Sequence, residues 1–185
     1  MYKKVLVPFT TGVEEIELVA IVDILRRADL EVTLASFDGK PVTGRSNIVI
    51  HADDSLQNTA SQHWDMLVLP GGLPNADLLA QDPVVRALAT RMANDGQYVA
   101  AICAAPKTLA SFGLLKDKHI TSHPSVKESI QQLEPSVIYS EDAVVHDGTI
   151  ITSRGAGTAI PFALTLVTML TSKETSNQIK SAILG

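Results

Sequence analysis

Cysteine is almost missing from this chain: among 185 residues there is one, Cys103. A lone thiol cannot close an internal disulfide or build a thiolate zinc site, so the expected setting is the reducing cytoplasm. Basic residues are outnumbered, with 15 Lys and Arg against 20 Asp and Glu. The resulting net charge of −5 offers no basic face for nucleic acid. No apolar run is long enough to cross a bilayer, so no membrane partner is expected. The short apolar stretch near the N-terminus stops at Pro8, with Glu14 and Glu15 close behind, so no signal peptide is expected either. GxGxxG and GxxxxGK[ST] are both missing, which removes the commonest nucleotide sites, and no histidines carry the HExxH spacing of a metal site. Repeats, low-complexity tracts and linkers are absent as well.

What is present suits a compact core. Hydrophobic residues make up 45% and charged residues 19%, as in ordinary globular domains. The length fits a single domain over residues 1–185 and is too short for two. Short β-branched runs alternate with helical patterns, the mark of βαβ units around a mostly parallel sheet. Strands are expected at Lys4–Phe9, Glu31–Ser36, Asp65–Leu69 and Tyr98–Ile102, with a strand pair within Val42–His51. Thr11 and Glu14 have capping-box spacing before a helix over about residues 14–28. Pro83 opens another helix, running to about Asp95. Asp147-Gly148 reads as the turn of a hairpin over Val144–Thr152, and further helices run to Leu170 and from Lys173 to Leu184.

Sites in open α/β sheets form beyond the carboxyl ends of the strands. Three unusual segments fall there: Pro70-Gly71-Gly72, Cys103, and Ser153-Arg154-Gly155. A strand-to-helix turn at Cys103 would hold its sulfur out of the sheet and aim the helix dipole at it, favouring a thiolate. Free cysteine is also a common core filler, and local sequence leaves that reading open. The glycine pair lets backbone approach a ligand closely, so the amides of Gly71, Gly72 and Ala104 are candidate oxyanion donors. Glu17 borders the apolar stripe of its helix. It is either a solvated first-turn carboxylate or a partly buried acid that keeps its proton and bonds the sulfur. Of the five histidines, His123 stands out before Pro124; His51, His63, His119 and His146 read as surface or strand-edge residues.

Taken in series, Gly12-Val13-Glu14-Glu15-Ile16-Glu17, Leu69-Pro70-Gly71-Gly72, Ala100-Ala101-Ile102-Cys103-Ala104-Ala105-Pro106, Thr121-Ser122-His123-Pro124 and Ser153-Arg154-Gly155-Ala156-Gly157-Thr158-Ala159 resemble the ThiJ/PfpI family. The match is to the branch that contains the parkinsonism-associated deglycase and the bacterial protein YajL, and it runs colinearly over nearly the whole chain. The resemblance implies a flavodoxin-like three-layer α/β/α sandwich with a nucleophile elbow at Cys103. It also implies a protonated Glu17 on the sulfur, His123 nearby, and a homodimer with Arg154 and Arg27 close to the subunit contact and an anion pocket. The implied activity is that of a cofactor-independent glyoxalase or deglycase acting on methylglyoxal, glyoxal or their early adducts. The alternative is a redox-sensing chaperone whose cysteine is oxidised to a sulfinate.

Two departures matter. An arginine common just before the Ile48-Val49-Ile50 strand is Ser46 here, and Arg45 lies one residue early, so no dimer or anion contact is assigned to Arg45. Protease-like members place a histidine directly after the cysteine, whereas this chain has Ala104, which disfavours protease activity. Homologues also carry a label for thiazole monophosphate synthesis, but no phosphate loop supports a kinase. The stretch after Arg154 lacks the histidine of a glutamine amidotransferase triad.

Overall fold

Lys4–Phe9 forms strand β1, buried from Val5 onward because helices cover both of its faces. Val5, Val7 and Phe9 enter one hydrophobic cluster and Leu6 the other, following the two-residue period of a strand. The structure, a computed structural model, describes residues 3–185. Met1 and Tyr2, which begin the expected domain, lie outside the described residues.

The chain continues as α1 (Glu15–Arg27), β2 (Glu31–Ser36), β3 (Val42–Thr43), β4 (Val49–Ile50), β5 (Asp54–Ser55) and α2 (Leu56–Thr59). Next come β6 (Met66–Leu69), α3 (Asn75–Gln81), α4 (Pro83–Asn94), β7 (Tyr98–Ile102), α5 (Pro106–Ser111) and β8 (His119–Ile120). The last elements are α6 (Lys127–Leu133), β9 (Ile138–Tyr139), β10 (Val144–Asp147), β11 (Ile150–Ser153), α7 (Ala159–Leu170) and α8 (Lys173–Ala182). One sheet has the order β10-β11-β7-β6-β1-β2-β5. Its neighbours run parallel except in the β10–β11 edge hairpin. The longer parallel strands β2-β1-β6-β7-β11 thus follow the flavodoxin-like order 2-1-3-4-5. Helices α1, α7 and α8 pack on one face, and α3, α4, α5 and α6 on the other. The expected three-layer architecture is present.

Local details differ from the sequence reading. Thr11 and Glu14 form no capping box: the chain turns at Gly12 (φ 78), and Glu14 is itself the cap. Its carboxylate accepts the Glu17 N–H at 2.8 Å, the bond that a Ser, Thr, Asp or Asn side chain more often supplies. In the hairpin, Asp147 pairs with Ile150, so the loop is Gly148-Thr149, one residue beyond the expected turn. Helices α2 and α3 have no counterpart in the reading. Both are shorter than the window over which a 3.6-residue period shows.

Candidate active site

Cys103 ends β7 in a left-handed kink (φ 64), a conformation that costs a non-glycine residue on the order of 1–3 kcal/mol. The surroundings hold it there. Its N–H donates to Ser153 O at 3.0 Å, and its carbonyl accepts the His123 N–H at 2.8 Å. The kink is the expected nucleophile elbow, and it leaves the thiol half-buried beyond the carboxyl end of β7, one strand from the β1/β6 switch point of the sheet. The expected dipole is slighter. α5 has six residues and begins only at Pro106, three positions past the sulfur-bearing residue.

Backbone donors do the dipole's work. The amides of Gly72 and Ala104 both favour the ionised Cys103 sulfur. Gly72 has φ 89, and any side chain on it would strike Gly12 O and Glu14 N. Gly71 corrects the reading: its N–H donates to Glu17 Oε2 at 2.9 Å and is therefore no oxyanion donor. A residue that sequence reasoning missed fixes this turn. Asn75, fully buried, donates to Pro70 O (2.9 Å) and Gly71 O (3.0 Å), while its Oδ1 accepts the Thr10 N–H (2.8 Å). An asparagine in a Gly-Pro segment reads as turn chemistry, and nothing in its spacing marks these partners.

Glu17 is fully buried, which decides between its two readings. Its Oε1 has no well-aligned hydrogen-bond partner, and the thiol lies close enough for each group to move the other's ionisation. Burial above all raises the Glu17 carboxyl to about 7, against the bonds from Cys103 and the Gly71 amide. Burial first, and then the charge of Glu17, push the Cys103 thiol up to about 12, against the Gly72 and Ala104 amides. The expectation of a thiol driven well below its ordinary value is thus corrected. Burial favours the proton on both groups, and the charge of either disfavours ionisation of the other, so the pair does not shed both protons together.

Above the sulfur lies a pocket of about 260 Å³, lined by Arg45, Gly72, Leu73, Cys103, Ala104, His123 and Ser125. The fold therefore brings Cys103, Glu17, His123, Gly72 and Ala104 together. Arg45, to which no contact was assigned, stands at the mouth and steadies the charge of Glu17. Two expected arginines point elsewhere in the chain. Arg27 sits in the last turn of α1 and pairs with Asp23 at 2.7 Å, whereas Glu17 is in the first turn. Arg154 turns to Glu141, donating to its carbonyl at 2.8 Å and to its carboxylate at 3.1 Å. Gly155, behind the sulfur, is held by Thr158 Oγ1, which accepts its N–H at 3.0 Å. Among the described residues, no group of three or more His, Cys, Asp or Glu side chains is placed to hold a metal ion.

The DJ-1/PfpI family profile matches residues 3–169. Protein dj-1beta of Drosophila melanogaster is 39% identical over 186 residues, covering 100% of this chain and 98% of that protein. Its crystal structure superposes with a TM-score of 0.94 at 38% identity, covering 100% of this chain and 98% of the other. The glutathione-independent glyoxalase DJR-1.2 of Caenorhabditis elegans is 34% identical, over 90% of this chain and 87% of its own. The structure of oxidized Toxoplasma gondii DJ-1 gives a TM-score of 0.92 at 32% identity, with 98% of each chain covered.

Proposed function

This chain belongs to the DJ-1/PfpI family, and on that premise we propose that it is a cysteine-dependent enzyme of the glyoxalase/deglycase type. Its substrates are methylglyoxal, glyoxal or their early adducts, and its role is protection against carbonyl stress. One observation carries the reading: a kinked thiol, two backbone amides and a buried carboxyl converge beneath one small pocket. The relative named as a glutathione-independent glyoxalase supports it.

With methylglyoxal, the Cys103 sulfur attacks the aldehyde carbon while its proton passes to the Glu17 carboxylate. The carbonyl electron pair moves onto oxygen, where the Gly72 and Ala104 amides hold the charge. Glu17 returns its proton to that oxygen, then carries the C1 proton to C2 through an enediol. The hemithioacetal becomes a lactoyl thioester, and water cleaves it to lactate and the free thiol. C1 is oxidised as C2 is reduced, so no external electron acceptor enters. A base that ionises near 7 is well placed for this work at neutral pH. Purified protein should form lactate from methylglyoxal and Cys103→Ser should form none; equal rates from the two would end the proposal.

A second reading rests on the same sulfur. Glu17 Oε1, buried without a well-aligned partner, and the two amides form a seat for the oxygens of a Cys103 sulfinate. Two peroxides would each transfer one oxygen and leave as water. Intact mass after peroxide should rise by two oxygens on Cys103; oxidation no faster than that of an ordinary thiol would remove this reading.

The proposal extends to a single domain in the cytoplasm, working as a homodimer. Among the described residues, no helix is long and apolar enough to cross a membrane. Ile16 and Val19 on α1 and Ile160 on α7 are 61%, 54% and 45% exposed, an apolar face beside Glu17 that a second copy would cover.

A further inference from the structure

The imidazole of His123 is held at both ends. Its backbone N–H donates to Cys103 O at 2.8 Å, so the residue is tied to the elbow. On the ring, Nδ1 caps the short 3₁₀ turn Pro124–Val126: the Ser125 backbone N–H donates to it at 3.2 Å, and Ser125 Oγ lies 2.8 Å away. A backbone N–H can only donate. Nδ1 must therefore present its lone pair, and in the neutral ring the proton sits on Nε2. The Cδ2 edge, which carries Nε2, and the Cys103 sulfur share a neighbourhood at Gly155, where a Cβ would lie 3.7 Å from His123 Cδ2 and 3.8 Å from Cys103 Sγ, and both residues line the pocket.

We infer that His123 acts in this pocket as a hydrogen-bond donor through Nε2–H, not as a base, and that the backbone N–H at position 125 fixes that tautomer. A donor here joins the amides of Gly72 and Ala104, and all three suit an oxygen that gains charge as the sulfur attacks. With Nδ1 occupied and Nε2 protonated, the neutral ring has no free lone pair to accept a proton from the substrate. Proton transfer between the two substrate carbons then falls to Glu17. The assignment of the tautomer stands independently of any substrate, whereas its catalytic meaning rests on the reaction proposed above.

The test has two arms. In the first, ¹⁵N side-chain spectra of the intact protein, with His123 assigned by loss of its signals in His123→Gln, read the tautomer directly. The expected result is protonated Nε2 and a bare Nδ1, retained in Ser125→Ala, which keeps the backbone donor. Protonated Nδ1, or an even mixture of the two forms, would overturn the inference. In the second arm, lactate formation is compared in His123→Gln and His123→Leu. Glutamine can donate but cannot serve as a base, so it should keep turnover within about tenfold of wild type. Leucine should lose about 10²–10³-fold, the usual cost of one oxyanion donor. If glutamine is as inactive as leucine, the donor role is wrong. If wild type makes no lactate at all, the reaction fails and the tautomer result still decides the inference.

Discussion

Beneath the sulfur, Glu17 and Gly71 are shut away from water, while Arg45, His123 and Ser125 stand exposed around the mouth of the same pocket. The inner half is built from backbone: the Gly71 amide on Glu17, the Gly72 and Ala104 amides on sulfur, and Asn75 locking the turn. The rim is built from side chains on short turns that carry little of the core. Ionisation of the thiol pair is set chiefly in the buried half, where an added atom meets packed neighbours.

Gly71→Ala strikes the inner half hardest. A methyl group there would stand 2.5 Å from Cys103 Cβ and 2.6 Å from Glu17 Oε2, with no flexible tail to yield. Overpacking of this kind costs about 1–3 kcal/mol. The melting temperature should fall, and the Glu17 carboxyl, which loses the placement of the Gly71 N–H, should no longer titrate near 7 when followed by side-chain ¹³C NMR. An unchanged melt together with an unchanged Glu17 titration would mean that the inner half tolerates what its geometry forbids.

Glu17→Gln tests the same half through pH. The Glu17 carboxyl moves from 4.5 to about 7 on folding, so the folded chain holds its proton more tightly. Stability from that proton is complete below 4.5 and is lost as pH climbs to about 7. At 1.36 kcal/mol for each unit, the loss is on the order of 3 kcal/mol. Glutamine cannot titrate, so urea unfolding across this window should show a flatter dependence in the variant. Parallel curves for the two proteins would show that Glu17 is not the buried acid.

Legibility in the sequence divides along the same line. The strands β1, β6 and β7 are largely continuous apolar runs and β2 alternates polar and apolar residues along its first half, so their borders and the elbow at Cys103 were readable from the sequence. Glu17 was visible as a carboxylate bordering an apolar stripe. Its neighbour Glu15, which accepts the Ser46 N–H at 2.7 Å and is also buried, was not singled out. Which amides serve the sulfur was only half readable, because one residue of register decides whether Gly71 or Gly72 faces it. The Ser125 contact was not legible, because a backbone N–H that donates to Nδ1 leaves no mark in the identity of the residue that carries it. Arg45 and Arg27 were unreadable for a simpler reason. A long side chain's destination depends on what lies across the gap, and sequence spacing does not record that.

Arg45→Gln is the mildest of these changes, and it asks whether the rim reaches the inner half at all. The guanidinium favours the ionised Glu17 as the smallest of the influences on that group. Its removal should raise the titration midpoint of the Glu17 carboxyl, followed by side-chain ¹³C NMR, by a small amount. Arg45 is exposed and outside the core, so stability should change by no more than about 0.5 kcal/mol. Salt supplies the discriminating arm. A charge acting through water is screened within about 3 Å at roughly 1 M ionic strength, so the two proteins should converge there. Arg45→Lys should keep the wild-type midpoint, because the effect depends on charge and not on the shape of the guanidinium. A midpoint that stays put in Arg45→Gln at low salt would confine the rim to shape, leaving the pair's ionisation wholly to burial and backbone.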